Sequence, residues 1–133
     1  MSKAKEKHAE RLRALSLLGK DLTRRCRSHC ELCSASGVKL APFEVAPIQD
    51  IPDTEHAIFI CDVCVEQLKT TKYIDVDHWR CLNTSVWSEI PVVQVAAVRM
   101  LKRLADKTEW SADLYDQLYL EPDVLEWIEN DAE

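Results

Sequence analysis

The chain has 133 residues, 47% hydrophobic and 30% charged, the balance of an ordinary globular domain, and its two glycines exclude flexible linkers and low-complexity tracts. No apolar run has the length of a membrane span, and the charged N-terminus lacks a signal-peptide core, so a cytoplasmic protein with no membrane contact is expected. In that reducing compartment six cysteines argue for metal ligation ahead of disulfides. The net charge of −6 conceals a split: residues 1–27 carry nine Lys/Arg against three Asp/Glu, a net of +6, which leaves −12 for the rest. Such asymmetry marks a basic arm for nucleic acid or an acidic partner, or else a basic helix that docks on the protein's own acidic body or is merely solvated.

From Ser2 to Arg27, Leu12, Leu15, Leu18, Leu22 and Cys26 recur at steps of three and four, which predicts an amphipathic helix with a narrow apolar stripe. Residues 28–60 change character, with Gly37, Pro42, Pro47 and Pro52 punctuating two short β-prone runs, Val38–Val45 and Ala57–Ile60. Cys61 to Leu68 reads as a short helix with acidic residues near its start, and Tyr73–Leu82 reads as extended. Ser88 is a candidate N-cap, with Pro91 in the first turn where no amide partner is required. The run Val92, Val93, Ala96, Ala97, Met100, Leu101 and Leu104 then predicts the main buried helix. Further helices are expected from Thr108 or Ser111 and after Pro122. Ten acidic residues against one lysine occupy 106–133, yet Trp110, Leu114, Leu118, Val124, Leu125 and Ile128 suffice to fold that region down. The expectation is an α+β chain. A basic helix (1–28) precedes a zinc-binding module (29–82), and a helical region (83–133) packs on it, all within one compact unit.

The cysteine spacing Cys30-x2-Cys33-x27-Cys61-x2-Cys64 is the strongest chemical signal. Each Cys-x-x-Cys turn sets two sulfurs on one side of a tight loop, half of the tetrahedron that zinc prefers, and two such pairs complete it. Backbone amides in the turns can hydrogen-bond the thiolates, and a helix starting at Cys61 adds its positive dipole end. Arg24, Arg25 and Arg27 stand close enough in sequence to offset the negative charge. Cys30, Cys33, Cys61 and Cys64 are therefore expected to hold one structural zinc ion, with no open position for chemistry. That order, a cysteine pair, a hairpin and a second pair opening a helix, resembles a small treble-clef or zinc-ribbon-like module. Cys26 falls on the apolar stripe and Cys81 shares strand-face parity with Trp79, so both read as core thiols. His29 and His78 read as hydrogen-bonded structural residues beside a complete ligand set, with ligand or base as the alternative role.

Several strings within residues 29–127 resemble the PhnA-like proteins, a family named after an alkylphosphonate-utilisation operon. They are Cys30-Glu31-Leu32-Cys33, Glu44-Val45-Ala46-Pro47, Cys61-x-x-Cys64, His78-Trp79-Arg80-Cys81-Leu82-Asn83, Trp87-Ser88-Glu89-Ile90-Pro91, Val93-Gln94-Val95, and Asp113-Leu114 to Tyr119-Leu120. The resemblance implies that family's zinc-binding N-terminal module, here preceded by a basic helix and without the small C-terminal β-barrel the family usually carries. The same order of elements also resembles the scaffold of HNH nucleases. The positions where those enzymes hold histidines correspond to Val45 or Ala46 and to Val65, none able to activate water or hold magnesium.

These readings lead to a non-enzymatic, zinc-supported binding or adaptor module. Its partner is expected to be a protein or a second copy of the chain. Nucleic acid is the other candidate, met through the basic helix by Lys3, Lys5, Lys7, Arg11, Arg13, Lys20, Arg24 and Arg25. Two alternatives stand beside it. One is a divergent nuclease or hydrolase using His56, His78 or Glu44 with a second metal; the other is a redox or zinc sensor with Cys26 or Cys81 as a spare thiol.

Overall fold

A computed structural model describes residues 3–70 and 72–130. It is mixed in class: helices surround one two-stranded antiparallel sheet. The N-terminal segment is helical from Lys3, as its Ala, Leu, Lys, Glu and Arg content favours, but it breaks at Leu18 and Gly19 into α1 (Lys3–Leu17) and α2 (Gly19–Cys26). The expected stripe is largely not a buried face. Leu12 is 53% exposed, α1 buries no residue, and within α2 only Leu22 is fully covered. The reason is geometric: α1 meets the body of the protein through the charged side chain of Arg11, and of the two helices only α2 buries an apolar side chain. Arg27 and Ser28, both at positive φ, then turn the chain sharply away from the end of α2.

Strands β1 (Leu40–Glu44) and β2 (Ala57–Cys61) pair with Leu40 opposite Cys61 and Glu44 opposite Ala57. All five residues of β2 are buried, whereas all of β1 are half-buried, so β2 is the inner strand. Its outer edge would expose unpaired backbone groups, and Glu31 covers it. The Glu31 amide donates to the Phe59 carbonyl at 3.0 Å, and the Glu31 carboxylate accepts from the Phe59 amide at 2.8 Å. Helix α3 (Asp62–Lys69) follows β2 directly, with Cys61 as its N-cap residue.

The segment read as extended, Tyr73–Leu82, folds differently. It forms a turn, a 3-10 helix over His78–Cys81 and a short helix α4 (Leu82–Ser85). The apolar residues that resembled an alternating strand are instead drawn inward by a polar anchor. Trp79 is fully buried, and its Nε1 donates to Gln67 Oε1 on α3 at 3.1 Å. The same Gln67 oxygen accepts the Asp75 amide at 2.7 Å, fixing the turn that enters the 3-10 helix.

Helix α5 (Pro91–Leu104) is the centre of the molecule, with nine buried residues from Val92 to Leu104. Ile90 is its N-cap rather than Ser88, although Ser88 Oγ accepts the Ile90 amide at 3.1 Å and so supports the entry. Pro91 occupies the first turn as expected. Helices α6 (Glu109–Gln117) and α7 (Pro122–Glu129) pack on α5, α6 being capped by Thr108, whose side chain accepts the Ser111 amide. Ile58 and Ile60 of β2, Trp79, Leu82, Val86 and the inner face of α5 form one continuous core. Leu125, expected to be inward, is 38% exposed.

Two arginines on α5 tie the ends of other helices to it. Arg103 donates to the carbonyls of Leu68 (3.2 Å) and Thr70 (2.5 Å) at the end of α3. Arg99, one turn earlier, donates to Trp127 (2.5 Å), Ile128 (3.2 Å) and Asn130 (3.0 Å) at the end of α7, and to Ala46 (2.7 Å) after β1. The last carbonyls of a helix lack intrahelical partners and carry its negative dipole end, so a guanidinium there satisfies both requirements.

Candidate metal centre

The first cysteine pair sits in a tight turn directly after α2. The Cys30 amide donates to the Ala35 carbonyl and the Ser34 amide to the Cys30 carbonyl, both at 2.9 Å, so the loop closes on itself. Ser34 takes a φ of 67°, the left-handed backbone that lets the chain reverse just past Cys33. Gly37, at φ 69°, makes the next reversal towards β1, where only glycine avoids a steric cost. The second pair lies at the β2–α3 junction: Cys61 ends the strand, and Cys64 stands in the first turn of the helix. The hairpin register brings the junction over the first turn, and the fold closes the separation that the sequence leaves between the pairs.

The four sulfurs lie within 4.8 Å of one another, Cys33 half-buried and the other three buried. Cys30 Sγ is 3.7 Å from Cys64 Sγ, and Cys33 Sγ is 3.6 Å from Cys61 Sγ. These separations far exceed a disulfide bond of about 2.05 Å. They match the edge of a regular tetrahedron whose centre-to-corner distance is about 2.3 Å, namely about 3.8 Å. Among the described residues this is the one group of His, Cys, Asp or Glu whose donors can meet a single ion. The amides of Cys33 and Cys61 both point at Cys30 Sγ, at 3.4 Å each, as donors to a thiolate would.

Protons alone serve this cluster badly. The contact with Cys64, aided by the surrounding amides, holds the Cys30 thiol down at about 4, while Cys64 is driven upward by that same contact and by burial. Burial, with the neighbouring sulfurs, pushes Cys33 up to about 11. Four sulfurs at such distances, three of them buried, cannot all be thiolates without a positive charge among them. A soft divalent cation at their centre supplies it, so the donor set fits a metal such as zinc.

Of the three arginines expected to balance the cluster, Arg25 is engaged elsewhere. Arg25 forms a bidentate pair with Glu31 at 2.7 and 2.9 Å and donates to the carbonyls of Thr54 and Ala57, which braces α2, the first cysteine turn and β2. Arg11 clamps Glu44 with two hydrogen bonds and reaches the carbonyls of Gln49 and Asp50. Two members of the supposed basic contact surface are thus internal struts, and the basic helix does rest on an acidic side chain of its own body. Lys3, Lys7, Arg13, Lys20 and Arg24 remain exposed.

The remaining candidates separate. His29 is exposed, its Nδ1 2.7 Å from the Arg27 carbonyl oxygen. His56 pairs with Asp53 at 2.8 Å and packs its ring 5.3 Å from that of Trp127, while Glu44 is taken by Arg11. His56 and Glu44, two of the groups nominated for a second metal, are thus each taken by a separate side-chain partner. Val45 is buried, the Ala46 carbonyl is taken by Arg99 and Trp127, and Val65 is half-buried on α3. Cys26 is half-buried, with Sγ 3.7 Å from the Thr23 carbonyl. Cys81 lines a surface cleft with Cys33 and Cys61, and burial pushes its thiol up to about 12, the opposite of a reactive thiolate.

Of the two histidines read as hydrogen-bonded neighbours of the ligand set, one does reach the cluster. His78 brings Nε2 to 3.2 Å from Cys64 Sγ. Fourteen residues separate the two in sequence, and the 3-10 helix that the alternating pattern hid is what joins them.

No helix among the described residues is long and apolar enough to cross a membrane. Comparison with protein-family models, with curated proteins and with solved structures returns no significant match for this chain.

Proposed function

We propose that the chain is a non-catalytic binding module whose fold is held by one structural zinc ion on Cys30, Cys33, Cys61 and Cys64. The observation that carries this reading is the pair of sulfur separations, 3.6 and 3.7 Å, beside a tetrahedral edge of about 3.8 Å for zinc. Four sulfur donors fill the coordination sphere, which leaves no position at which a substrate or water could be activated. The ion's contribution is thus cross-linking: it fastens the turn after α2 to the strand–helix junction. The order of cysteine turn, hairpin and cysteine-capped helix fits a treble-clef arrangement, and the PhnA-like resemblance belongs to the same proposal.

The partner we propose is a protein or a second copy of the chain, met along α1. That helix buries none of its residues and presents Lys3, Lys7 and Arg13 together with Leu12 and the 80%-exposed Leu17. Exposed apolar groups among cations suit a protein surface better than a phosphate backbone, and the −6 overall charge opposes non-specific coating of nucleic acid. Metal analysis of the purified chain tests the first half: one zinc per chain, released together with four reactive thiols, is expected, and paired disulfides or a metal-free folded protein would refute it. For the second half, sedimentation and duplex-DNA titration of wild type and a Lys7→Glu, Arg13→Glu variant separate the partners. Self-association lost in the variant supports this reading, and salt-dependent DNA binding lost instead assigns the surface to nucleic acid.

A further inference from the structure

Helix α3 grips the segment 75–81 with two side chains on one face. Cys64 and Gln67 are three residues apart, one helical turn, and so point the same way. Gln67 holds the Trp79 indole and the Asp75 amide, and Cys64 Sγ meets the imidazole of His78. The ring of His78 is fixed independently of the sulfur. Its backbone amide donates to Asp75 Oδ1 at 3.2 Å, and its ring stands edge-on to Trp79 with centroids 5.0 Å apart and planes at 79°. Trp79 is immobile because it is fully buried in the core. His78 also lines the cleft of about 500 Å³ that opens beside Cys33, Cys61 and Cys81. It therefore stands between solvent in that cleft and the otherwise buried Cys64.

We propose that His78 is a positioning residue for the metal centre. Its Nε2–H donates to the Cys64 thiolate and covers it, and this sets how slowly the ion leaves. The inference rests on metal occupancy of the four cysteines. A hydrogen bond from an outer group lowers the charge on a ligating sulfur and hinders its protonation or displacement by an incoming ligand, and losing such a partner commonly costs 10- to 100-fold in metal affinity. Cys30 already receives two backbone amides, whereas His78 is the side chain that serves Cys64.

The test compares wild type, His78→Ala and His78→Gln, each loaded with zinc, by the rate of zinc transfer to a chromogenic chelator. Cobalt-substituted spectra and circular dichroism accompany the rates. The expected result is one ion and a four-sulfur cobalt spectrum throughout, transfer about tenfold faster for His78→Ala, and recovery of most of the difference by the glutamine amide. A measurement on the unaltered protein guards against a variant that does not fold. With cadmium-113 in the site, the His78 Nε2 proton should persist in water and couple to the metal through the hydrogen bond. Equal transfer rates in all three proteins, or a glutamine variant as fast as the alanine one, would overturn the role. So would direct nitrogen–cadmium coupling, since His78 would then be a ligand in place of a sulfur. A wild-type chain that takes up no metal would overturn this inference and the proposed function together, whereas equal rates in metal-loaded proteins remove His78 alone.

Discussion

At the scale of single residues, Arg25 and Glu31 brace the first cysteine turn against α2 and β2. The Glu31 carboxylate is 3% exposed and Arg25 is 22% exposed, so the pair is largely removed from water. Removing one member of such a pair strands its partner's charge, a cost of about 2–3 kcal/mol in this partly screened setting. Arg25→Gln should therefore lower the unfolding free energy by that amount, and Arg25→Gln with Glu31→Gln should cost less than the sum of the single changes. Chemical denaturation of the four proteins in a double-mutant cycle checks both. The pair also bears on the basic face. Reversing Arg25 would destabilise the fold whether or not α1 and α2 bind anything, whereas Arg24, which is exposed, can be reversed without that penalty.

At the scale of elements, Arg99 and Arg103 make a prediction that separates two helix ends. Arg99→Met removes donors from three carbonyls at the end of α7, and Arg103→Met removes them from two carbonyls near the end of α3. Both variants keep the alkyl bulk. A hydrogen bond from a charged donor contributes about 1.5–3 kcal/mol when well covered, and these are only partly covered or exposed, so a total loss of about 2 kcal/mol is expected for either. Amide exchange should then quicken within 122–130 for Arg99→Met and within 62–70 for Arg103→Met; the same pattern from both variants would contradict the assignment. These caps explain what the sequence could not supply. The periodicity of α5 and the Pro and Thr signals at the starts of α6 and α7 are local, and those elements were legible. An arginine that caps a helix thirty residues away leaves no local mark. Tyr73–Leu82 was misread for the same reason, since the spacing of Tyr73, Ile74, Val76 and Trp79 suits a strand until Gln67 on another element takes the Trp79 indole. The cysteine cluster was legible because each Cys-x-x-Cys carries its own geometry, while His78 reaches it through tertiary structure alone.

At the scale of the whole molecule, the cysteine cluster and the hydrophobic core are one body rather than two. Cys30, Cys61 and Cys64 belong to the same buried set as Ile58, Ile60, Trp79 and the inner face of α5. A structural zinc site contributes on the order of 10 kcal/mol, comparable with the entire stability of a domain this size. Cys61→Ser removes a proposed ligand at the junction of the inner strand and α3. Chelation of the wild type, or Cys61→Ser, should therefore do more than loosen residues 29–70. Because Gln67 of α3 holds Trp79, unfolding of α3 frees that indole, and Trp79 should pass from a buried to a solvated environment in step with metal loss. Replacing Trp87, Trp110 and Trp127 with Phe isolates its emission, with a metal-loaded sample of that variant as the folded reference. A red shift that tracks zinc release and reverses when zinc is restored is the expected outcome. Metal loss without any change in Trp79 would mean that the core stands without its cysteines, which the continuity of β2 with α5 argues against.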